Sequence, residues 1–513
     1  MAEPNRLKYS LLNSSVASLT QLATIVIKFI VQTVFIHELG LRYLGANGLF
    51  NNILMLLSFS ELGLGSAIAF SMYRPLALGK QSEIRALLAL YRKAYFYIAL
   101  IVGLLGLAVL PFLHLLIRHN SLPNIRIYFC LFLANTVISY LFAYKRAILT
   151  ADQKDYVNLT NQFIFASVQS VLQIIILLIW QNYFLFLIIQ IICTLISNVT
   201  ISRLVDRRYN YLEQLSNSTL PKKDLDTIVQ NTIGLIGSQI GGIVVFGTDN
   251  LLISSFLGLL SVGLFANYTL VVNALTGILN KAVGAVTASL GNLTISESKS
   301  HVFQIFQRYI FINFTLTFFS SSLLASCLNP FIRVWIGQRY LLSELTVLII
   351  IANFAINQMR QPLINFVAAY GLYSRIGWKS MIEALFNLLL SLFFIAVMRW
   401  GIAGTLLGTI LSNLLINSWW EPSLVLKYGI QEKSLKYWWD YIGYMVVLTI
   451  SVVLNFYMSE TFIWRGFGGL LLTAFVSFVM DLVIFLLLFG RKKEFAFLWG
   501  LIRRPFARFR KTA

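Results

Sequence analysis

Three basic side chains interrupt long apolar runs: Lys28 in TQLATIVIKFIVQTVFI, Lys281 in VNALTGILNKAVGAV and Arg360 in IIIANFAINQMRQPLINF. A cation at the centre of a membrane helix costs roughly 2.5–3.5 kcal/mol on insertion scales, so such residues face a polar cavity or a partner rather than lipid. Together they predict a cavity that handles an anion. Polar residues accompany them at helical spacing. Ser14, Ser18, Gln21, Lys28 and Gln32 fall on one stripe, as do Asn47, Asn51, Ser58, Glu61 and Gly65. Asn273, Gly277, Asn280, Gly284 and Thr287 repeat the pattern beside Lys281, and Asn353 and Asn357 precede Arg360, where Pro362 is expected to kink the helix. Such stripes also hold helices together in lipid.

Four acids, Glu61, Asp249, Glu383 and Asp481, lie within or just inside the apolar runs. A carboxylate shielded from water either pairs with a neighbouring cation, takes up a proton or binds Na⁺. Glu61 and Lys281 occupy corresponding depths and form the expected pair. Asp249 and Glu383, with Asn387 one helical turn beyond Glu383, are the candidate site for a coupling ion, Na⁺ or H⁺. No other cofactor is expected.

The elements that must position these groups are membrane helices. Of 513 residues, 58% are hydrophobic and only 12% charged, with a mean hydropathy of +0.77, whereas about a quarter of a soluble domain is charged. Apolar windows of roughly 20 residues, long enough to cross ~30 Å of hydrocarbon, recur about 14 times. They include 44–70, 127–149, 229–256, 263–289, 344–370, 381–398 and 401–419. The expected fold is all-α and integral to the membrane, with about 14 transmembrane helices in two pseudo-symmetric lobes plus two C-terminal helices.

The polar segment DRRYNYLEQLSNSTLPKKDLD (206–226) sets the division. An N-terminal lobe covers 1–205, a cytoplasmic linker 206–228, a C-terminal lobe 229–430, the extra helices 431–490 and a basic tail 491–513. An internal repeat supports it. LGLRYLGANGLFNN (39–52) is similar to LGLLSVGLFAN (257–267): Gly40 and Gly258 each follow a leucine, and GLFNN at Gly48 aligns with GLFAN at Gly263 across a three-residue gap. Repeats in the same orientation fit alternating-access transporters.

The net charge of +20 follows topology. With both termini cytoplasmic, Lys and Arg cluster on the inner side, from Arg74 to Lys93, from Arg203 to Lys223 and from Arg491 to Lys511, leaving scattered residues such as Arg118, Arg126, Arg333 and Arg339 outside. The partners read from charge are the lipid bilayer and its anionic headgroups, not nucleic acid. Cys130, Cys193 and Cys327 have neither metal nor redox spacing. The sequence holds no phosphate-binding glycine loop and no HExxH, so transport rather than enzymatic chemistry is expected.

SELGLGSAIAFSMYRPLA (60–77), running on to LLALYRKAY, and GIAGTLLGTILSNLLINSWWEPSLVLKYG (401–429), with the six-plus-six-plus-two arrangement of spans, resemble Wzx-type bacterial polysaccharide flippases of the MOP superfamily. The resemblance covers about residues 10–490. It implies a MATE-like fold, two lobes forming a V around a cationic cavity. It also implies that the protein moves undecaprenyl-pyrophosphate-linked oligosaccharide repeat units to the outer leaflet of the bacterial cytoplasmic membrane, for capsule, exopolysaccharide or O-antigen, alongside a polysaccharide polymerase machinery. On it, Lys28, Lys281 and Arg360 hold the pyrophosphate or an acidic sugar, with Glu61, Gln21, Gln32 and Asn357 completing the polar lining. Related lipid II flippases bind Na⁺ near an acid in the seventh span with partners in the eleventh, a placement that Asp249, Glu383 and Asn387 match loosely. A lipid II or multidrug transporter of the same superfamily is the alternative, and Lys28 in the first span argues against a cationic drug. A membrane polysaccharide polymerase or ligase shares the composition but needs a larger outer loop than the expected one near 329–343.

Overall fold

The computed structural model describes residues 3–58, 64–118, 122–212, 242–245, 247–284, 298–432, 435–461, 466–500 and 503. It is 91% helix, with no strand among these residues. The helices are α1 (Glu3–Leu39), α2 (Leu41–Leu57), α3 (Leu64–Leu78), α4 (Gln81–Val109), α5 (Ile125–Ala143), α6 (Arg146–Ala151), α7 (Asp155–Trp180), α8 (Tyr183–Arg208), α9 (Gly242–Leu257), α10 (Leu259–Gly284), α11 (Lys299–Trp335), α12 (Glu344–Met359), α13 (Gln361–Ala369), α14 (Tyr373–Leu392), α15 (Gly401–Ser412), α16 (Ser418–Leu424), α17 (Leu435–Thr461) and α18 (Gly466–Phe489).

Among the described residues, 11 helical segments are long and apolar enough to cross a membrane, and Ile125–Leu141 and Gly242–Leu257 are shorter apolar helices. Each expected window overlaps one of these segments except 44–70, where the described residues belong to α2 and α3; residues 59–63, 229–241 and 285–289 of the windows lie outside the described residues. The chain forms two compact units, Met1–Ala266 with Ile376–Ala384 and Asn267–Arg375 with Leu385–Ala513. Most of the expected linker, 213–228, lies outside the described residues.

In the first unit α1 lies along α7 and is tied to it near both ends. The Tyr156 N–H donates to Asn13 Oδ1 at 2.8 Å, Asn13 Nδ2 donates to the Gln153 carbonyl at 2.9 Å, and Gln181 Nε2 donates to Glu38 at 2.7 Å. α5 packs between α4 and α8, its Phe129 and Phe132 rings edge-on to the buried Phe50 of α2.

The repeat is visible in backbone geometry. Gly40 and Gly258 have φ values of 82° and 87°, a left-handed conformation that favours glycine, and α2 and α10 each start at the next residue. The two helix starts then cross with almost no space between backbones. A Cβ on Gly45 would stand 1.9 Å from the Leu259 carbonyl oxygen, and one on Gly263 would stand 2.2 Å from that of Leu41. Each glycine lies one helical turn into its own helix and meets the first residue of the other. Gly45 is therefore the structural counterpart of Gly263, and LGLRYLG matches LGLLSVG without a gap. The expected equivalence of Gly48 with Gly263 is corrected accordingly. Glycine permits this approach because any side chain at the crossing would strike peptide oxygen.

In the second unit α11 is the central post, packed against α12, α17 and α18. Its Phe311, Phe314 and Phe318 form an aromatic core with Tyr444, Phe485 and Phe489, and Phe314 stacks on Tyr444 at 4.3 Å. The opposite face of α18 exposes Leu471, Phe475, Phe478 and Val479, an apolar surface suited to acyl chains. Pro362 breaks the helix as expected, with α12 ending at Met359 and α13 starting at Gln361. Proline has no N–H to give the carbonyl one turn back. That carbonyl, of Gln358, accepts instead from Asn313 Nδ2 of α11 at 2.9 Å. The described start of the tail also packs on this unit, Phe495 against Phe485 and Phe497 under the Arg308 guanidinium.

Candidate cationic and ion-pair sites

The three sequence-selected cations have different surroundings. Lys28 is exposed on α1 in the first unit and makes no ion pair with any described residue. α1 has two exposed faces of opposite character. Leu19, Leu22, Val26 and Ile30 form an exposed apolar stripe. Lys28 lies roughly half a turn round the helix from it, in line with Ser14, Ser18, Gln21 and Gln32. Of these, Ser14 and Ser18 are exposed and the two glutamines half-buried. An apolar face suits lipid, and a polar exposed face requires water or a polar ligand.

Lys281 belongs to the second unit, in the last turn of α10, and is exposed beside exposed Asn273 and Asn280. Its expected partner Glu61 lies outside the described residues, as does Thr287.

Arg360 departs from the expectation of an open cavity cation. It sits at the junction of α12 and α13, buried, and its fork is occupied: Nε donates to Glu421 Oε2 at 3.0 Å and Nη2 to Glu421 Oε1 at 2.6 Å, while Nη1 donates to Asn413 and, at 3.4 Å, to Asn357. Asn357 is anchored in turn on Asn353, donating to its side-chain oxygen at 2.9 Å. Glu421 reaches Arg360 because Gly401–Ile430 continues as one helical run past Trp419 and Trp420, with π-helical turns at Asn413–Asn417 and Val425–Ile430. Planar two-point pairing of this kind neutralises both charges and fixes geometry.

The acids also resolve into separate environments. Glu383 is buried and ion-paired at 3.1 Å with Lys379, one turn earlier on α14 and also buried. Asn387 is fully buried and donates to Thr409 Oγ1 at 2.9 Å. Asp249 is half-buried on α9 in the first unit. Sequence reasoning missed Glu421 and Lys379, both just outside the apolar windows. The signal for Lys379 was the 379/383 helical spacing, whereas Pro422, directly after Glu421, spoke against a helix that in fact continues through it.

A polar cluster joins α6 to α7 and α8. Arg146 Nη2 donates to Asn161, Ser197 and Asn198 at 3.1, 3.2 and 3.0 Å. Tyr209 donates to Asp152 at 2.6 Å, and Lys154 pairs with the same carboxylate at 2.5 Å. Burial, reinforced by Asp152, pushes the Tyr209 phenol well above its ordinary value.

No family model and no curated protein matches the sequence. Solved structures do. The lipid II flippase MurJ in an inward closed conformation matches with TM-score 0.66 and 14% identity over 94% of this chain and 99% of that one. A multidrug resistance MATE family transporter of the MOP superfamily, inward-facing, matches with TM-score 0.52 and 14% identity over 78% and 95%. The Vibrio cholerae MATE transporter VcmN in its bent form matches with TM-score 0.53 and 16% identity over 82% and 98%. This chain is a multi-pass membrane protein with the fold of MOP-superfamily transporters and flippases.

Proposed function

We propose that the protein is a flippase of the bacterial cytoplasmic membrane. It carries undecaprenyl-pyrophosphate-linked oligosaccharide repeat units from the inner to the outer leaflet by alternating access, for capsule, exopolysaccharide or O-antigen assembly. The observation that carries this reading is the exposed Lys28 on the polar face of α1, opposite an exposed apolar face. Lys28 and Lys281 supply charge-assisted contacts to the pyrophosphate or an acidic sugar, individually weak enough to permit release. Arg360, locked to Glu421, supports the helix break at 360 rather than offering an open donor. Asp249 is the acid through which Na⁺ or H⁺ coupling is assigned.

The test is export of surface polysaccharide in a strain dependent on this gene, with K28A and K281A compared at equal membrane abundance. Both are expected to lose export, and wild-type export from both would end the proposal. Lipid II is the competing cargo, favoured if the chain restores peptidoglycan synthesis to cells lacking their lipid II flippase.

A further inference from the structure

In the second unit, one buried tyrosine ties the end of the helix that carries Lys281 to two other helices. Tyr309, on α11, is 3% exposed. Its hydroxyl donates to the Val283 carbonyl of α10 at 2.8 Å and accepts from Asn365 Nδ2 of α13 at 2.7 Å. A hydroxyl has one proton to give and lone pairs to receive with, so the two bonds run in one direction, from α13 through α11 to α10. The ring is held as well. Phe366, beside Asn365, packs on the Tyr309 ring at 6.2 Å and edge-on against Phe306 of α11 at 4.9 Å, which seats α13 on the turn of α11 that carries the hydroxyl.

The bond to Val283 sets which way the end of α10 faces. Leu279 and Val283 are buried and one turn apart, whereas Asn280 and Lys281 are exposed. Lys281 lies two residues before Val283, roughly 200° round the helix. Holding the buried side at Val283 therefore points the stem of Lys281 away from α11, and without the tie this turn has one anchor fewer against rotation about the helix axis. Phenylalanine would fill the same space as Tyr309, so what the hydroxyl adds is the junction itself. The far end of the relay is also fixed. α13 follows directly on Arg360, whose guanidinium is locked by Glu421 and Asn413, so Asn365 projects from a helix whose start is clamped. A chain of firm contacts thus leads from a buried ion pair to an exposed cation.

We propose that Tyr309, with Asn365 behind it, is a positioning residue for Lys281: its two hydrogen bonds hold the end of α10 so that the ammonium is presented to an anionic headgroup. The proposal rests on the reading of Lys281 as a cargo contact. A lysine stem is long and flexible, and fixing the backbone beneath it lowers the ordering cost of binding. Tyr309 acts through Lys281 and not on the cargo, so its effect disappears once the ammonium is removed.

The full-length protein in lipid nanodiscs is titrated with undecaprenyl pyrophosphate at low and high salt, comparing wild type, Y309F, K281Q and the double variant. Y309F keeps the ring and removes the hydroxyl. K281Q is expected to weaken binding about tenfold, and Y309F about threefold with a shallower salt dependence. The double variant should bind as K281Q does, a non-additivity that a hydroxyl serving stability alone would not produce. Should Y309F not accumulate, N365A serves: it removes the donor behind the hydroxyl, and its loss should likewise vanish beside K281Q. Unchanged binding in K281Q would end the reading of Lys281 and the proposal with it. Weakened binding in K281Q alongside wild-type binding in Y309F and N365A, or a loss in either that persists in full beside K281Q, would overturn the positioning role alone.

Discussion

Adding one methyl group at Gly45 tests whether the crossing of α2 with α10 is built on glycine. The new Cβ would lie 1.9 Å from the Leu259 carbonyl oxygen, roughly 1.5 Å inside ordinary van der Waals contact. The obstacle is backbone, so no rotamer change relieves it and the two helix starts must separate. Separation would also stretch the contact between Gly48 and Val262 and the 3.2 Å hydrogen bond from Asn250 Nδ2 to Asn52 Oδ1, worth about 0.6 kcal/mol in a membrane helix pair. Alanine gains about 1 kcal/mol over glycine in helix propensity, while overpacking against rigid neighbours costs about 1–3 kcal/mol and sometimes more. The clash should win. G45A and G263A should each destabilise the protein by about 1–3 kcal/mol, read as the thermal midpoint in detergent. One separation accommodates both methyl groups, so the double variant should cost less than the two singles together, by about 1 kcal/mol. G45A as stable as wild type, or strictly additive losses, would refute the crossing geometry.

Breaking the buried Arg360–Glu421 pair from one side should be expensive: E421A is expected to lose about 3–5 kcal/mol, whereas R360M with E421M together should fold close to wild-type stability. Thermal unfolding of the three variants separates these outcomes. Tyr209 gives a pH signature. Its folded-state value is raised, so its contribution to stability is complete below about pH 10 and is lost as pH rises beyond that. Alkaline unfolding should therefore be steeper in wild type than in Y209F. At Asp249, D249N is expected to change the dependence of transport on an imposed Na⁺ or H⁺ gradient in proteoliposomes, and an identical gradient response would remove the acid from coupling.

The helices were legible because hydropathy is a local property. The window 401–419 starts with α15 and the window 127–149 two residues into α5, and the glycines at 40 and 258 announced the repeat. Register was less visible. The GLF match favoured a gap, whereas the left-handed glycine and the helix start that follows it set the pairing at Gly45 and Gly263. Partners across sequence were least visible. Arg360 meets Asn413 and Glu421, 53 and 61 residues away, and Glu421 is buried beside it on a helical run that continues past Trp420. Spacing alone showed that Lys28 shared a stripe with Gln21 and Gln32, but not that Lys28 would be exposed and the glutamines half-buried. Asp481 of α18 accepts from Ser451 and Asn455 of α17, and the bonds of Tyr309 join α10, α11 and α13; no single window contains either set.

Direct binding tests the central claim. Wild type, K28Q and K281Q, reconstituted in nanodiscs, are titrated with undecaprenyl-pyrophosphate-linked oligosaccharide at low and high salt. Each substitution is expected to weaken binding about tenfold, or ~1.4 kcal/mol, and to reduce its salt dependence. Affinity and salt dependence unchanged in both variants would contradict an anionic headgroup held by these two lysines.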